Sequence, residues 1–346
     1  MRKWAELISD VLVLIAKRID VVEDYVAFGG VCKSWQVAAV KENFNERGWS
    51  HQIPWLMLAQ EEEEEERRFV SLRKGSMICK VMRLPEANGK RCMESLGWFV
   101  TISQDGQLNL LHPFSRVQIG LPPVTTLKYY DPDGLISNLI GIQKAVLSLS
   151  RPKFHDNAAH SFKWFRRSSP EHAGVSSAKT AIINGGNDWN GKFYGVDACC
   201  RVYECDVGGS NPTVARYVGG IRIPIQLVVY KRPYIVESAG GGTTHCPTRW
   251  ICIDADKLDH DDDDYDNSGT CEFLVFRHNT SNGRWKKMRS LEDNHSLFLG
   301  HSASISIEVT SKFPGIKANY IYYTDDYAEQ YWSFKRGRGK DMGIYN

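Results

Sequence analysis

Several clusters in this 346-residue chain carry residue types that hold metals or phosphates. Cys199, Cys200 and Cys205, followed by His245 and Cys246, supply the thiolates and imidazole of a structural zinc site. They lack the paired Cys-x-x-Cys spacing that brings four ligands to one ion, so buried or edge-strand thiols are expected instead. Asp264, Asp266, Ser268 and Gly269 match positions 1, 3, 5 and 6 of a calcium loop. Position 12, where a bidentate Glu should close the shell, is Val275, and the acidic run reads as a hairpin tip. Gly29-Gly30-Val31-Cys32-Lys33-Ser34 comes close to a phosphate-cradling loop, but Cys32 stands where Gly is needed and a helical run precedes it. Basic and aromatic residues interleave at Lys163-Trp164-Phe165-Arg166-Arg167 and Arg284-Trp285-Lys286-Lys287-Met288-Arg289 without a nucleic-acid motif around them, so both read as solvated strands or turns. Nucleophile elbow, dinucleotide fingerprint and zinc-protease helix are all missing. We expect no catalytic residue, no metal, no cofactor and no nucleic-acid partner.

Two periodicities organise the chain. Ile8, Val11, Leu12, Ile15 and Ile19 recur at three and four residues, which places them on one helical face, with Ser9 or Asp10 as the cap. A second short helix is expected over Val22 to Phe28, a break at Gly29-Gly30, and a third helix with Val31, Trp35, Ala38 and Ala39 on one side. A module this small buries too little surface to be stable alone, so it should need a partner. Beyond Trp49 the pattern turns to short β-branched and aromatic runs: Trp98 to Ile102, Leu108 to His112, Lys144 to Leu149, Thr180 to Ile183, Phe193 to Val196, Arg201 to Cys205, Gln226 to Val236, Trp250 to Ile253, Glu272 to Arg277 and Ser304 to Val309. Asp105-Gly106 and Asn282-Gly283 mark hairpins, since both pairs tolerate positive φ. So many antiparallel strands point to a propeller, which disposes of exposed sheet edges by radial repetition; a large barrel or double sandwich stays open.

A formal net charge of +2 gives no long-range field for nucleic acid or an anionic membrane, so partners are recognised locally. The apolar run Val11 to Ala16 is too short for a signal peptide or a membrane span. Nine irregularly spaced cysteines fit a reducing compartment better than a disulfide framework, and a cytoplasmic or nuclear location is expected.

The stretch from Trp4 through Leu7-Ile8-Ser9-Asp10-Val11-Leu12 to Ile19, with Asp24-Tyr25-Val26-Ala27-Phe28 and Val31-Cys32-Lys33-Ser34-Trp35, resembles an F-box. The resemblance implies that Leu7, Ile8, Val11, Leu12 and Ile15 pack on the adaptor subunit that links such receptors to a cullin, and that Val31, Cys32 and Trp35 complete the interface or the small core. F-boxes usually carry Pro after the first Leu; here Ile8 replaces it. The remainder is similar to the plant family called domain of unknown function 295, a predicted β-propeller found behind F-boxes. The matching strings include Pro54-Trp55-Leu56-Met57-Leu58, His112-Pro113-Phe114-Ser115-Arg116, Gly191-Lys192-Phe193-Tyr194-Gly195-Val196-Asp197 and Tyr320-Ile321-Tyr322-Tyr323-Thr324-Asp325-Asp326.

The expected organisation is mostly β: a three-helix F-box over 1–48, then a propeller-like domain over 53–346 with an acidic insertion near 60–67 and an acidic loop near 259–268. The implied role is a non-catalytic substrate receptor of an SCF-type cullin-RING ubiquitin ligase, binding the adaptor and through it cullin, with a target protein held by the propeller at residues the sequence leaves unknown. The competing readings are an interaction scaffold that does not engage the ligase, and an enzyme supported on the propeller.

Overall fold

The computed structural model describes residues 4–44, 53–58, 67–71, 81–95, 97–126, 142–147, 162–166, 192–196, 200–206, 215–221, 230–237, 244–253, 268–279, 284–291, 294–300, 304–310, 313–324 and 341–346. The acidic runs Glu61 to Glu66 and Asp259 to Asp266 and the run Thr180 to Ile183 lie outside them. The chain divides into two compact units, Met1–Trp55 and Leu56–Asn346. Among the described residues no helix is long and apolar enough to cross a membrane.

The first unit is helical: α1 (Ser9–Ala16), α2 (Val22–Gly29) and α3 (Lys33–Ala38). The expected cap of α1 is amended. Ile8 is its N-cap and no side chain caps it, so Ser9 and Asp10 lie inside the first turn. Gly30 ends α2, and its N–H reaches back to the carbonyls of Val26 and Ala27. The core is Leu12, Ala16, Tyr25, Phe28, Ala38 and Phe44.

From Trp55, at the boundary of the two units, the chain is a succession of sheets. The first holds β1 (Trp55–Met57), β2 (Arg67–Ser71) and β3 (Val81–Leu84); the second holds β4 (Arg91–Ser95), β5 (Trp98–Ile102), β6 (Leu108–Leu111) and β7 (Gln118–Leu121). A pair, β8 (Ile142–Leu147) and β9 (Phe162–Arg166), makes the third, and β10 (Lys192–Val196), β11 (Arg201–Asp206) and β12 (Ala215–Gly220) make the fourth. The fifth holds β13 (Tyr230–Pro233), β14 (Val236–Glu237), β15 (Thr244–Ile253), β16 (Ser268–Asn279) and β17 (Arg284–Lys287). The sixth described sheet holds β18 (His295–Leu299), β19 (Ser304–Glu308), β20 (Ile321–Tyr323) and β21 (Gly343–Tyr345). Where the register is described, pairing is antiparallel except between β18 and β20.

Each sheet comes from one contiguous stretch, and the first packs on the second, the fourth on the fifth and the fifth on the sixth. Phe69 of β2 stacks on Phe99 of β5 at 5.3 Å. Val196, Cys200, Val202, Ile221, Ile235 and Phe276 form one apolar cluster between the fourth and fifth sheets. Tyr234, Val236, Phe273, Val275, Leu297, Leu299 and Ile321 form another between the fifth and sixth. Sheets made in sequence order and joined face to face are what radial repetition produces, whereas a barrel would pair strands continuously around one sheet.

Two strands depart from expectation. The run Gln226 to Val236 is described from Tyr230 and is broken at Tyr234-Ile235, whose side chains turn into the two clusters. β15 starts at Thr244 rather than Trp250 and carries Pro247 inside it. Proline cannot donate to a ladder. Pro247 is accommodated because β13 pairs with 248–251 and β14 with 244–245, leaving Cys246-Pro247 opposite the break.

Candidate functional site

Helix α1 is apolar at every position from Val11 to Ala16, more than one stripe can bury. Leu12 and Ala16 face inward, with Leu12 1% exposed, while Leu7, Val13, Ile15 and Ile19 pack at the margin of the core. Ile8 (70% exposed), Val11 and Leu14 point to solvent. Trp35 packs its ring on Phe28 at 4.7 Å and donates its indole N–H to the Trp4 carbonyl at 3.2 Å. Tyr25 lies edge-on to Phe44 at 4.8 Å, and its hydroxyl donates to the Val40 carbonyl at 2.6 Å. Burial, reinforced by the Glu42 carboxylate, raises the Tyr25 hydroxyl above its ordinary range.

The eight sequence-selected residues therefore separate. Ile8, Val11 and Val31 are exposed; Leu7, Ile15, Cys32 and Trp35 are half-buried; Leu12 belongs wholly to the module's own core and offers no surface. The resemblance implied a contact role for Leu12, whereas periodicity places it only on the apolar stripe of α1. It also passed over Trp4, Leu14, Val26, Val37 and Val40, all of which are exposed. The signal was available in the excess of apolar residues over what three short helices can bury. Of the eleven large hydrophobics exposed among the described residues, eight lie in this first unit: Trp4, Ile8, Val11, Leu14, Val26, Val31, Val37 and Val40. These eight make the first unit the apolar-rich part of the described surface.

At position 8 the backbone is one that a proline would also adopt. Ile8 has φ −63°, the value a proline ring imposes, and its carbonyl accepts the N–H groups of Val11 and Leu12.

Cys200 is buried in the apolar cluster of the fourth and fifth sheets, and among the described residues no three His, Cys, Asp or Glu converge as a metal site. Lys33 and Ser34 of the phosphate-loop look-alike open α3, with α2 rather than a strand ahead. Val275 lies in β16, as the failed calcium spacing expects, while Asp264 and Asp266 lie outside the described residues. In β17 Trp285 turns inward and Arg284, Lys286 and Lys287 stand exposed, so the basic-aromatic interleaving there is an outer strand's two faces. Cys32, Cys92 and Cys200 are free thiols, but Cys271 is disulfide-bonded, which amends the all-thiol expectation. Across the fourth sheet the Tyr194 hydroxyl donates to Glu204 Oε2 at 3.0 Å, and Arg216 meets Glu204 Oε1 at 3.1 Å. Burial first, and that hydrogen bond second, push the Tyr194 hydroxyl up to about 12.

Residues 69–346 match the sequence model of the KIB1-4 beta-propeller family. The chain belongs to that family. The contiguous sheets of the second unit are thus those of a propeller, and three short helices precede them. This KIB1-4 beta-propeller protein is also similar to a protein of Arabidopsis thaliana described as a probable F-box protein, at 21% identity over 369 aligned residues, covering 99% of this chain and 89% of the relative.

Proposed function

We propose that this protein is the substrate receptor of an SCF-type cullin-RING ubiquitin ligase. The first unit docks on the adaptor subunit, and through it on cullin, and the propeller holds a target protein. The observation that carries this reading is the apolar surface of the first unit, too large for a module this small to leave solvated. It sits in the segment that aligns with the F-box relative. Ile8, Val11 and Val31 supply contact area, while Leu7, Ile15, Cys32 and Trp35 add their exposed edges. Leu12 holds the helices in place from inside. The likeness of the second unit to domain of unknown function 295 is part of the same reading, as is a plant cytosol or nucleus as the site of action.

The polypeptide itself performs no chemistry. Two tethered binding events raise the effective concentration of target lysines near the ubiquitin-charged enzyme. Target recognition falls to loops on the rigid propeller.

The test is calorimetric titration of the full chain with purified plant adaptor subunit, beside an Ile8→Asp, Val11→Asp variant. Both side chains are exposed, so the variant should keep its circular dichroism and its unfolding midpoint. Placing unpaired carboxylates in an apolar interface should cost several kcal/mol, more than a hundredfold in affinity. A wild type that fails to bind the adaptor removes the ligase reading and leaves the propeller scaffold.

A further inference from the structure

Cys271 lies in β16 and is disulfide-bonded, whereas Cys32, Cys92 and Cys200 are free thiols. Cys92 and Cys200 are buried, but Cys271 is exposed. Its place in the ladder sets it apart as well. Trp250 of β15 pairs with Glu272 and Ile251 with Thr270, so Cys271 is the extra residue of a bulge and has no counterpart on β15. Pairing does not fix a bulged residue. Here the disulfide supplies that constraint.

The residues flanking the bulge hold a different strand. On one side the Thr270 hydroxyl donates to Asp341 Oδ2 at 2.8 Å, across 71 positions of the chain. On the other side the Phe273 ring lies edge-on to Tyr345 at 5.2 Å and tilts against Tyr323 at the same distance. Asp341 leads into β21, and Tyr345 lies within it. β21 is three residues long, and its described backbone pairing is with β20. Both grips of β16 on this short strand therefore run through the segment that Cys271 pins. A movement of the bulge disturbs the two together.

We infer that the Cys271 disulfide is a redox latch that sets how firmly β16 holds β21. Exposure leaves it open to thiolate attack, and exposed disulfides are the labile ones. A dithiol reductant attacks one sulfur, forms a mixed disulfide and closes on itself. It gives up two electrons, and Cys271 and its former partner are left as thiols. The bulge then relaxes, and the Thr270–Asp341 bond and the Phe273–Tyr345 contact loosen with it.

The experiment is hydrogen exchange of the full chain read by mass spectrometry, before and after dithiothreitol without denaturant. The mass of the linked peptides in the oxidised sample names the partner cysteine. Reduction should speed exchange over 341–346 on the order of tenfold and leave β5 and β6 unchanged. Oxidised glutathione should restore the slow rate. Cys271→Ser should exchange at the fast rate with or without dithiothreitol. Thr270→Val, which keeps the disulfide but removes the hydroxyl on Asp341, should be fast over 341–346 while still oxidised. A disulfide that dithiothreitol opens only in denaturant overturns the inference, as does exchange over 341–346 that reduction leaves unchanged, or a Cys271→Ser variant as slow as oxidised wild type. Where Cys271→Ser does not fold, Thr270→Val decides, and a rate equal to that of oxidised wild type overturns it.

Discussion

Leu12 and Ile8 lie four residues apart on one helix and do opposite work. Leu12 is the centre of the first unit's core, so Leu12→Ala should cost about 2–5 kcal/mol of that unit's stability in denaturant titration. Leu14→Ala, at a position 60% exposed, should change stability by no more than about 0.5 kcal/mol. Ile8→Pro tests the F-box pattern from the other side. With φ already at −63°, proline should be accepted and should stabilise by about 0.4–1 kcal/mol through the unfolded chain. At Cys92 burial pushes the thiol from 9.0 up to about 11, against the opposing pull of Arg67 and Lys90. The fold therefore retains a proton that the unfolded chain releases. Its contribution is complete below pH 9 and is lost as pH rises toward 11, on the order of 2 kcal/mol. Comparing the unfolding free energy of wild type and Cys92→Ala from pH 8 to 11 should show the steeper fall in wild type.

Elements were legible where a local rule sufficed. The hairpin between β5 and β6 follows its residues: Asp105 Oδ1 accepts the Gln107 N–H at 3.1 Å and Gly106 takes φ +83°. Gly106→Ala should cost about 1 kcal/mol for that angle, read as a lowered denaturation midpoint. The three helices were legible from spacing and from the Gly29-Gly30 break, though not the uncapped start at Ile8, since capping preferences are weaker than the packing that sets where α1 begins. Pro247 hid the first half of β15. Nothing local reveals that β13 and β14 part opposite it, because that gap is made by Tyr234 and Ile235 seeking two different cores. The docking surface was half legible for a similar reason. Periodicity finds apolar residues on α1 but cannot divide them between core and solvent, a partition fixed by where Tyr25, Phe28 and Phe44 fill the interior.

At the scale of the molecule, stability among the described residues passes from sheet to sheet through shared clusters. Phe276 of β16 packs against residues of the fourth sheet, so Phe276→Ala should cost about 3–5 kcal/mol. Hydrogen exchange should quicken in β11 and β16 together, not in β16 alone. The similarity to the Arabidopsis protein, spread over 99% of the chain at only 21% identity, fits a scaffold held by such contacts. The sixth sheet adds a matter of timing. Its strands β18 and β19 zip as neighbours, but the other side of β18 is filled by β20, parallel to it, after the chain has passed through Phe313–Tyr320. That return is pinned by the Asn319 N–H on the His295 carbonyl and the Ser296 hydroxyl on the Lys317 carbonyl. Until it arrives, Leu297 and Leu299 sit on a half-paired strand, an open template for any other chain in the same state. Crowded refolding of this protein should therefore go astray first at residues 295–299, and a competing peptide of the β20 sequence should be captured there.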